Sequence, residues 1–521
     1  MKSNFIAMMV VVALAAVAGV TATPGARAAD EGPAPARAAD FTGADGWLNT
    51  EKPISIKQLK GQVVILDFWT YCCINCIHIM PDLKFIEEKY KNDPVVVIGV
   101  HSGKFDEEKD ADHIRQAVLR HNLLHPIAID SEMKIWESYG VRSWPSVVLI
   151  APDGTVVATL RGENHREQLD HAVAALLDMY GKKGELAKHL TFKTERSKFK
   201  SGTLEFPGKV LADAAGKRIF VSDTNHHRIV VADLDGKIEQ TVGSGAIGLK
   251  DGSFKQAEFY QPQGLALSPD GKTLYVADTE NHAVRAIDLE KKTVVTIAGN
   301  GQQFRAHEIE GSARDSELSS PWDLALVGRR LYIAMAGTHQ IWALDIDANR
   351  LAFFAGNRRE SALDGPNLRA SFAQPSGLAT DGTTLYVADS EASSIRAVEL
   401  SQTGSATTLA GSADLFGFGT KDGAGDVARF QHPLGVALSG DTLYVADTFN
   451  SLIRAVNVRN GQVSTFLGGA SKGSETASAG AFYEPGGLSV AGDILYVADT
   501  NHHRIVAVDL KNKQAKILIG G

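Results

Sequence analysis

The chain has few cysteines, and they are not spread along it. All three of them, Cys72, Cys73 and Cys76, fall within five residues of a 521-residue sequence. So compact a cluster excludes the framework of long-range disulfides that stabilises many small exported domains. The cysteines therefore belong to one local site.

The sequence also lacks a concentrated basic stretch, and after its first 20 residues it lacks a long apolar run. Its net charge is −8, which disfavours binding to nucleic acid or to an anionic membrane surface. Since no later segment reaches the ~20 apolar residues that cross a bilayer, we expect no membrane span in the mature protein.

The first 28 residues have the three parts of an export signal. Lys2 supplies the positive charge, residues 5–20 are apolar, and Ala26-Arg-Ala28 is a small-residue cleavage site. We expect an exported protein, periplasmic or secreted, with a retained N-terminal anchor as the alternative. Residues 29–46 are rich in alanine and proline and are predicted to be a flexible linker.

A chain of this length with 50 glycines predicts several domains and many turns. Residues 47–180 alternate strand and helix patterns and end in a hairpin at Pro152-Asp153-Gly154, which is typical of an α/β sheet covered on both faces. The charged residues 181–205 are predicted to connect this domain to the next, with one strand over residues 190–194.

The cysteines lie between a predicted strand and a predicted helix. Residues 62–69 are apolar and β-branched, as in a buried parallel strand, and residues 74–91 have a helical pattern. Cys73 is then placed near the helix N-terminus, where free backbone N–H groups stabilise a thiolate. Cys73-Ile-Asn-Cys76 is therefore a candidate redox dithiol, with no cofactor other than its own disulfide.

Other interpretations of the cysteines fit less well. A zinc site needs four ligands, and His78 with three adjacent cysteines is badly spaced for a tetrahedron. Covalent haem attachment requires Cys-x-x-Cys-His, which Ile77 interrupts. Buried, inert thiols stay open, as does a purely structural Asp67 at a strand end. His78 is expected on the helix surface.

The stretch from Phe68 to Cys76 resembles the active-site sequence of thioredoxins. Asp67 stands where that family has a buried acid, Pro81 matches its helix proline, and Trp144-Pro145 matches its cis-proline. The segment between Val100 and Pro145 resembles the strand–helix insertion of exported TlpA/ResA-type members.

The resemblance implies a role for each matching residue. Cys73 would attack a substrate disulfide as thiolate, and Cys76 would resolve the mixed disulfide. Asp67, if buried, would accept the proton of the resolving thiol. Pro145, if cis, would expose a backbone edge to which an extended peptide can pair.

Two departures from the family pattern leave questions open. Ile74-Asn75 replaces Gly-Pro, so the redox potential cannot be transferred from thioredoxin. Cys72 replaces a tryptophan and would either compete for Cys76 or be an inert small side chain. Cys72 and Trp144 are therefore possible accessory residues.

Residues 206–521 repeat a four-strand pattern six times, at a period of roughly 52–58 residues, which predicts a six-bladed β-propeller. Long loops are expected at Asp251-Gly252, Asp364-Gly365 and Asp422-Gly423. Stretches such as Asp223-Thr-Asn-His-His resemble NHL repeats. The recurring Asp, Asn and His are interpreted as turn chemistry rather than metal ligands. The most clearly repeated strand, the second of each unit, ends at Asp223, Asp278, Met335, Asp389, Asp447 and Asp499.

A thioredoxin-like domain followed by an NHL propeller is similar to the family of NHL repeat-containing protein 2. The resemblance implies a thiol–disulfide oxidoreductase that acts on protein thiols and disulfides, with an unknown electron partner and a client protein bound to the propeller. Two alternatives stay open: an interaction scaffold with a vestigial dithiol, and a metal-dependent propeller hydrolase or lyase.

Overall fold

The computed structural model describes residues 36–309, 311–401, 403–412, 414–469 and 478–520. The chain divides into two compact units, with the boundary between Phe199 and Lys200. The predicted export signal and the first part of the predicted linker lie outside the described residues. Within the described residues, no helix has the length and apolar composition needed to cross a bilayer.

The first unit is built on one mixed sheet of six strands, in the spatial order β1-β4-β3-β2-β5-β6. Strand β2 pairs in parallel with β3 and antiparallel with β5. The strands are β1 (Gly46–Leu48), β2 (Val63–Trp69), β3 (Val95–His101), β4 (Ile127–Ile129), β5 (Ser146–Ile150) and β6 (Val156–Arg161), and the helices are α1 (Ile74–Lys89), α2 (Ala111–Arg120), α3 (Lys134–Ser138) and α4 (Arg166–Lys183).

Alternate residues of the central strands supply two apolar cores, as the sequence predicted. Val63 and Ile65 pack with the inner faces of α1 and α4, whereas Val64 and Leu66 pack on the opposite face with α3. Because side chains alternate along a strand, Asp67 continues the face that carries α1. The thioredoxin-like fold of this unit is confirmed.

Both ends of this unit differ from the prediction. Ala38 N–H donates to Gly154 O at 2.9 Å, and Phe41 is buried, so the described end of the predicted flexible linker is packed on the domain. The connector also packs here, because Ala187 N–H donates to Gly61 O at 2.9 Å. The strand expected over residues 190–194 is absent: these residues have no regular secondary structure, and Leu190 contacts the core.

The second unit is a propeller of six antiparallel sheets, as predicted. Two of the expected inter-blade loops instead contribute short outer strands to blades 2 and 4, Gly252–Ser253 and Gly365–Pro366. The four strands of each blade are Pro207–Asp213, Arg218–Asp223, Arg228–Asp233 and Ile238–Val242; Pro262–Leu267, Thr273–Asp278, Ala283–Asp288 and Thr293–Ala298; Pro321–Val327, Arg330–Met335, Gln340–Asp345 and Arg350–Ala355; Pro375–Thr380, Thr384–Asp389, Ser394–Glu399 and Ser405–Gly411; Gly435–Ser439, Thr442–Asp447, Leu452–Asn457 and Val463–Gly468; and Pro485–Ala491, Ile494–Asp499, Arg504–Asp509 and Ala515–Gly520.

The recurring polar motif holds the propeller together. Asp278, for example, accepts the N–H of Tyr260, 18 residues earlier in the chain, at 2.8 Å and pairs with Arg285 at 2.7 Å, so it joins separate segments of its blade instead of the local turn that was expected. The threonine that follows such an aspartate bonds the next blade. Thr500 closes the ring between the last blade and the first by donating to Pro207 O at 2.9 Å.

A buried lysine lies at the propeller axis. Lys209 Nζ is 3.1 Å from Asp323 Oδ2 and donates to the carbonyl oxygens of Ser376 and Leu434 at 2.9 and 2.6 Å. Its side chain is 6% exposed. One ammonium group from blade 1 therefore joins blades 3, 4 and 5 at one end of the central channel.

Candidate functional site

Cys73 lies at the N-terminus of α1. It is the N-cap residue, and its carbonyl accepts the first helical bond, from Cys76 N at 3.0 Å. No side chain caps the helix, and its first turn has no acidic residue. Cys73 is partly exposed. The thiol with access to solvent is therefore the one placed at the positive end of the helix dipole.

Cys76 lies one turn further along α1 and is fully buried. Burial raises the pKa of its thiol well above the usual range, and the neighbouring Cys73 thiol and Asp67 carboxyl raise the pKa further. The structure thus brings Cys73, Cys76 and Asp67 together. Since a buried thiol with a raised pKa stays protonated, Cys76 needs a base before it can act as a nucleophile.

Asp67 supplies a buried carboxyl group at this point. Its side chain faces α1 near the end of β2 and is 2% exposed. Burial raises the pKa of Asp67 to about 7, with His125 lowering the value and Glu87 raising it. A carboxyl group whose pKa is near neutrality can both accept and release a proton under physiological conditions.

Pro145 follows a cis peptide bond with Trp144, as the resemblance implied. Phe68 of β2 pairs with Ser146 of β5 in an antiparallel register. The next position of this register brings Pro145 beside Trp69, next to the active-site loop. Trp144 is partly buried, and its Nε1–H donates to Ser102 O at 2.9 Å.

Cys72 is buried, unlike Cys73. Its side chain is 2% exposed, and its Sγ lies 4.0 Å from Thr70 Oγ1. Its backbone N–H donates to the carboxylate of Glu108 at 2.8 Å. The structure therefore directs Cys72 into the protein, beside the loop rather than on its outer surface.

Sequence reasoning missed three residues around the site. The buried Glu108 also accepts the N–H groups of Lys104 and Phe105, at 2.9 and 3.0 Å, and so ties the loop after β3 to the cysteine loop. Glu87 approaches Asp67 from α1, and His125 approaches it from the segment before β4. A histidine before Pro126 at a strand start was the only signal for this pair.

The expected exposure of His78 was wrong. Its side chain is 1% exposed, and its Nδ1 lies 3.0 Å from Glu163 Oε1. The surface of α1 at this point is covered by the segment that joins β6 to α4, which the helical pattern alone did not show. The contact with Glu163 thereby fixes the orientation of the His78 ring.

In the described part of the chain, no three His, Cys, Asp or Glu side chains converge in a way that would hold a metal ion. At the propeller axis, oxygens from three blades face the Lys209 ammonium group.

Comparisons with known proteins agree with this division. A thioredoxin-like family model matches residues 61–156, an NHL repeat model matches residues 259–287 and 482–507, and an LVIVD repeat model matches residues 434–453. Thiol-disulfide oxidoreductase ResA of Bacillus anthracis is 36% identical over 119 residues, which are 23% of this chain and 66% of ResA. These likenesses support a redox role.

Two further relatives match almost the whole chain. Protein SUPPRESSOR OF QUENCHING 1, chloroplastic, of Arabidopsis thaliana is 44% identical over 92% of this chain, which spans 47% of that protein. Human NHL repeat-containing protein 2 is 40% identical over 91% of this chain and 70% of its own length. On this likeness, the chain belongs to the NHL repeat-containing protein 2 family.

Proposed function

We propose that this protein is an exported thiol–disulfide oxidoreductase that works through a Cys73–Cys76 dithiol, with the propeller as its protein-recognition platform. One observation carries the redox proposal. Cys73, which is partly exposed, occupies the N-cap position of α1. The buried Cys76 lies beside it, next to the buried carboxyl of Asp67.

The arrangement supports a division of labour between the two thiols. Cys73 has access to a substrate and a helix N-terminus that stabilises negative charge on sulfur. Its thiolate attacks a substrate disulfide, which forms the mixed disulfide and releases one substrate thiolate. Cys76 then attacks Cys73 Sγ, so that the enzyme is oxidised to the Cys73–Cys76 disulfide and the second substrate sulfur leaves as a thiolate.

Asp67 serves as the base in the second step. Cys76 enters it as a thiol, and the proton passes to the Asp67 carboxylate as the sulfur attacks. The reverse sequence would oxidise a substrate dithiol, because the same exchange runs in both directions according to the redox potentials of the pair and its partner.

The experiment that tests the dithiol is disulfide mapping. The full chain is equilibrated in glutathione buffers, alkylated and analysed by mass spectrometry. We expect one Cys73–Cys76 disulfide, with Cys72 alkylated only after unfolding because its side chain is 2% exposed. A Cys72–Cys76 disulfide, or three reduced thiols in oxidised glutathione, would contradict the assignment.

The export proposal rests on residues 1–28, whose charged, apolar and small-residue parts fit a cleaved signal. N-terminal sequencing of protein isolated from its native host is expected to start at Ala29. Intact protein that starts at Met1 in the cytoplasm would contradict export, and membrane-bound protein that starts there would indicate the retained anchor.

A further inference from the structure

An imidazole fills the sheet surface next to Asp67. Gly99 of β3 pairs with Asp67 of β2, and both belong to the face that carries α1. A Cβ atom on Gly99 would lie 2.9 Å from Trp69 Nε1 and 3.5 Å from His125 Nε2. The His125 ring therefore lies within ordinary van der Waals distance of this position, beside the carboxyl group. A side chain at Gly99 would instead crowd Ile127 Cδ1, at 2.5 Å, and Trp69 Nε1.

The position of His125 is fixed on three sides. Its Nδ1 lies 3.2 Å from Glu87 Oε1 of α1, and its carbonyl accepts from Asn49 Nδ2 at 2.9 Å. The next residue, Pro126, accepts the N–H of Gly99 at 2.9 Å. The His125 side chain is 3% exposed, whereas that of Glu87 is 29% exposed. Glu87 therefore connects the buried ring to solvent.

Three buried polar atoms around Gly99 have no hydrogen-bond partner among the residues that the structure describes: Asp67 Oδ1, His125 Nε2 and Trp69 Nε1. Buried polar atoms in folded proteins are nearly always hydrogen-bonded, so the carboxyl and imidazole groups among them call for an explanation. An imidazolium N–H and a carboxylate oxygen are complementary, and a proton can pass between them directly or across one water molecule.

We propose that His125, held by Glu87, is a positioning residue of the dithiol site that acts through Asp67 and carries the proton of Cys76 towards solvent. This inference rests on the proposed function and deepens it. It assigns the dithiol a proton route through the interior, from Cys76 to Asp67, His125 and Glu87.

The route balances with the exchange chemistry. When Cys76 Sγ attacks Cys73 Sγ, its proton moves to Asp67, two electrons pass from the dithiol to the substrate disulfide, and the substrate leaves as a thiolate. Protonated Asp67 then gives its proton to the free Nε2 of the neutral His125 ring, which becomes an imidazolium beside the ionised Asp67. The imidazolium Nδ1–H transfers to the Glu87 carboxylate, 3.2 Å away, and from there to water. Both enzyme carboxylates are then ionised again.

The charges around the route agree with it. Burial lowers the pKa of His125, but the carboxylates of Glu87 and Asp67 raise it, so that the net pKa lies above its usual value. In return, the His125 imidazolium lowers the pKa of Asp67 against the effect of burial. Cys76 faces Asp67 from α1, and β3 contributes His101, which burial keeps neutral by lowering its pKa to about 3.

The test compares pH profiles of disulfide exchange for the full chain. In the wild type, Asp67 must be ionised to accept a proton, so the rate of the resolving step is expected to rise with pH through about 7. His125→Gln removes the positive charge but keeps Glu87, so the inflection is expected to move about one pH unit upward. Glu87→Gln is expected to move the inflection less, because two effects oppose each other. Losing the Glu87 charge removes a repulsion that raises the pKa of Asp67, but it also removes an attraction that raises the pKa of His125.

One control and a second readout keep the outcomes separate. Glu88→Gln changes the neighbouring residue of α1, whose side chain is 68% exposed, and is expected to leave the profile unchanged. Titration of the Asp67 carboxyl by ¹³C NMR measures the same coupling without catalysis. An inflection and a titration within about 0.2 unit of wild type in His125→Gln would overturn the inference. A wild type without exchange activity would contradict the proposed function, while the titration would still decide the coupling.

Discussion

Replacing Cys73 by serine is expected to reduce disulfide exchange by on the order of 10³-fold or more, because the attacking thiolate is removed. Serine keeps the size of the side chain at the N-cap of α1 and is itself a good N-cap residue, so the helix should be preserved. Insulin reduction by the full chain, with dithiothreitol as electron source, measures the change.

The other two cysteines supply matched controls. Cys76→Ser leaves the attacking thiol in place but removes the resolving one, so a covalent adduct between Cys73 and the substrate is expected to accumulate. Cys72→Ser is expected to keep activity close to wild type, because this buried side chain faces Thr70. A Cys73→Ser variant that exchanges disulfides at the wild-type rate would refute the oxidoreductase and favour a scaffold.

Replacing Lys209 by methionine is expected to destabilise the propeller by about 3–5 kcal/mol, the usual cost of breaking a buried ion pair by removing one partner. Asp323 would still accept hydrogen bonds from the N–H groups of Leu324 and Leu378, at 2.9 and 3.0 Å. It would lose its only charged partner among the described residues. The carbonyl oxygens of Ser376 and Leu434 would lose a donor as well. The cost is large because one ammonium group serves three blades.

Hydrogen exchange of peptides from the inner strands of the full chain measures this change within the propeller. Lys511→Met is a suitable control, because Lys511 and its partner Asp493 are 73% and 61% exposed, and such pairs contribute about 1 kcal/mol or less. The double variant Lys209→Met/Asp323→Asn should recover part of the loss. A change below about 1 kcal/mol in Lys209→Met would show that the axial pair is dispensable.

The structure explains why one motif recurs around the propeller. All four strands of the first and last blades come from consecutive chain segments, so no strand is shared across the junction. The ring is closed by side-chain contacts: Thr500 donates to Pro207 O, and His503 Nδ1 accepts the N–H of Phe206 at 3.0 Å. The same threonine and histidine positions join other neighbouring blades, for instance Thr279 to Pro321.

This finding corrects the interpretation of the motif as turn chemistry. The aspartates accept from backbone N–H groups, but those lie 16 or 18 residues earlier in the chain, as for Asp499 with Tyr483 and Asp278 with Tyr260. The threonines and histidines act between blades, which no single repeat could show. Blade 3 has Ala336 in the place of the threonine, so that its junction with blade 4 lacks this bond and is made by His339 Nδ1, which accepts the N–H of Gln374 at 3.1 Å.

The sequence by itself determined the local features of this protein. Apolar alternation defined the central strands, a repeat period of roughly 52–58 residues defined the blades, and the thioredoxin resemblance carried by Cys73, Cys76 and Asp67 indicated the dithiol and its buried acid. These features depend on periodicity and on near neighbours in the chain, which a sequence displays directly.

Only the tertiary structure decided which distant side chains meet. His125 approaches Asp67 because Gly99 pairs with Asp67 on one side and with Ile127 on the other, and Glu108 reaches the cysteine loop from the segment after β3. Lys209 reaches Asp323 across the propeller axis, 114 residues along the chain. Such contacts follow from strand register and ring closure, which no local pattern specifies. The dithiol could thus be found in the sequence, whereas the groups that surround its buried acid required the fold.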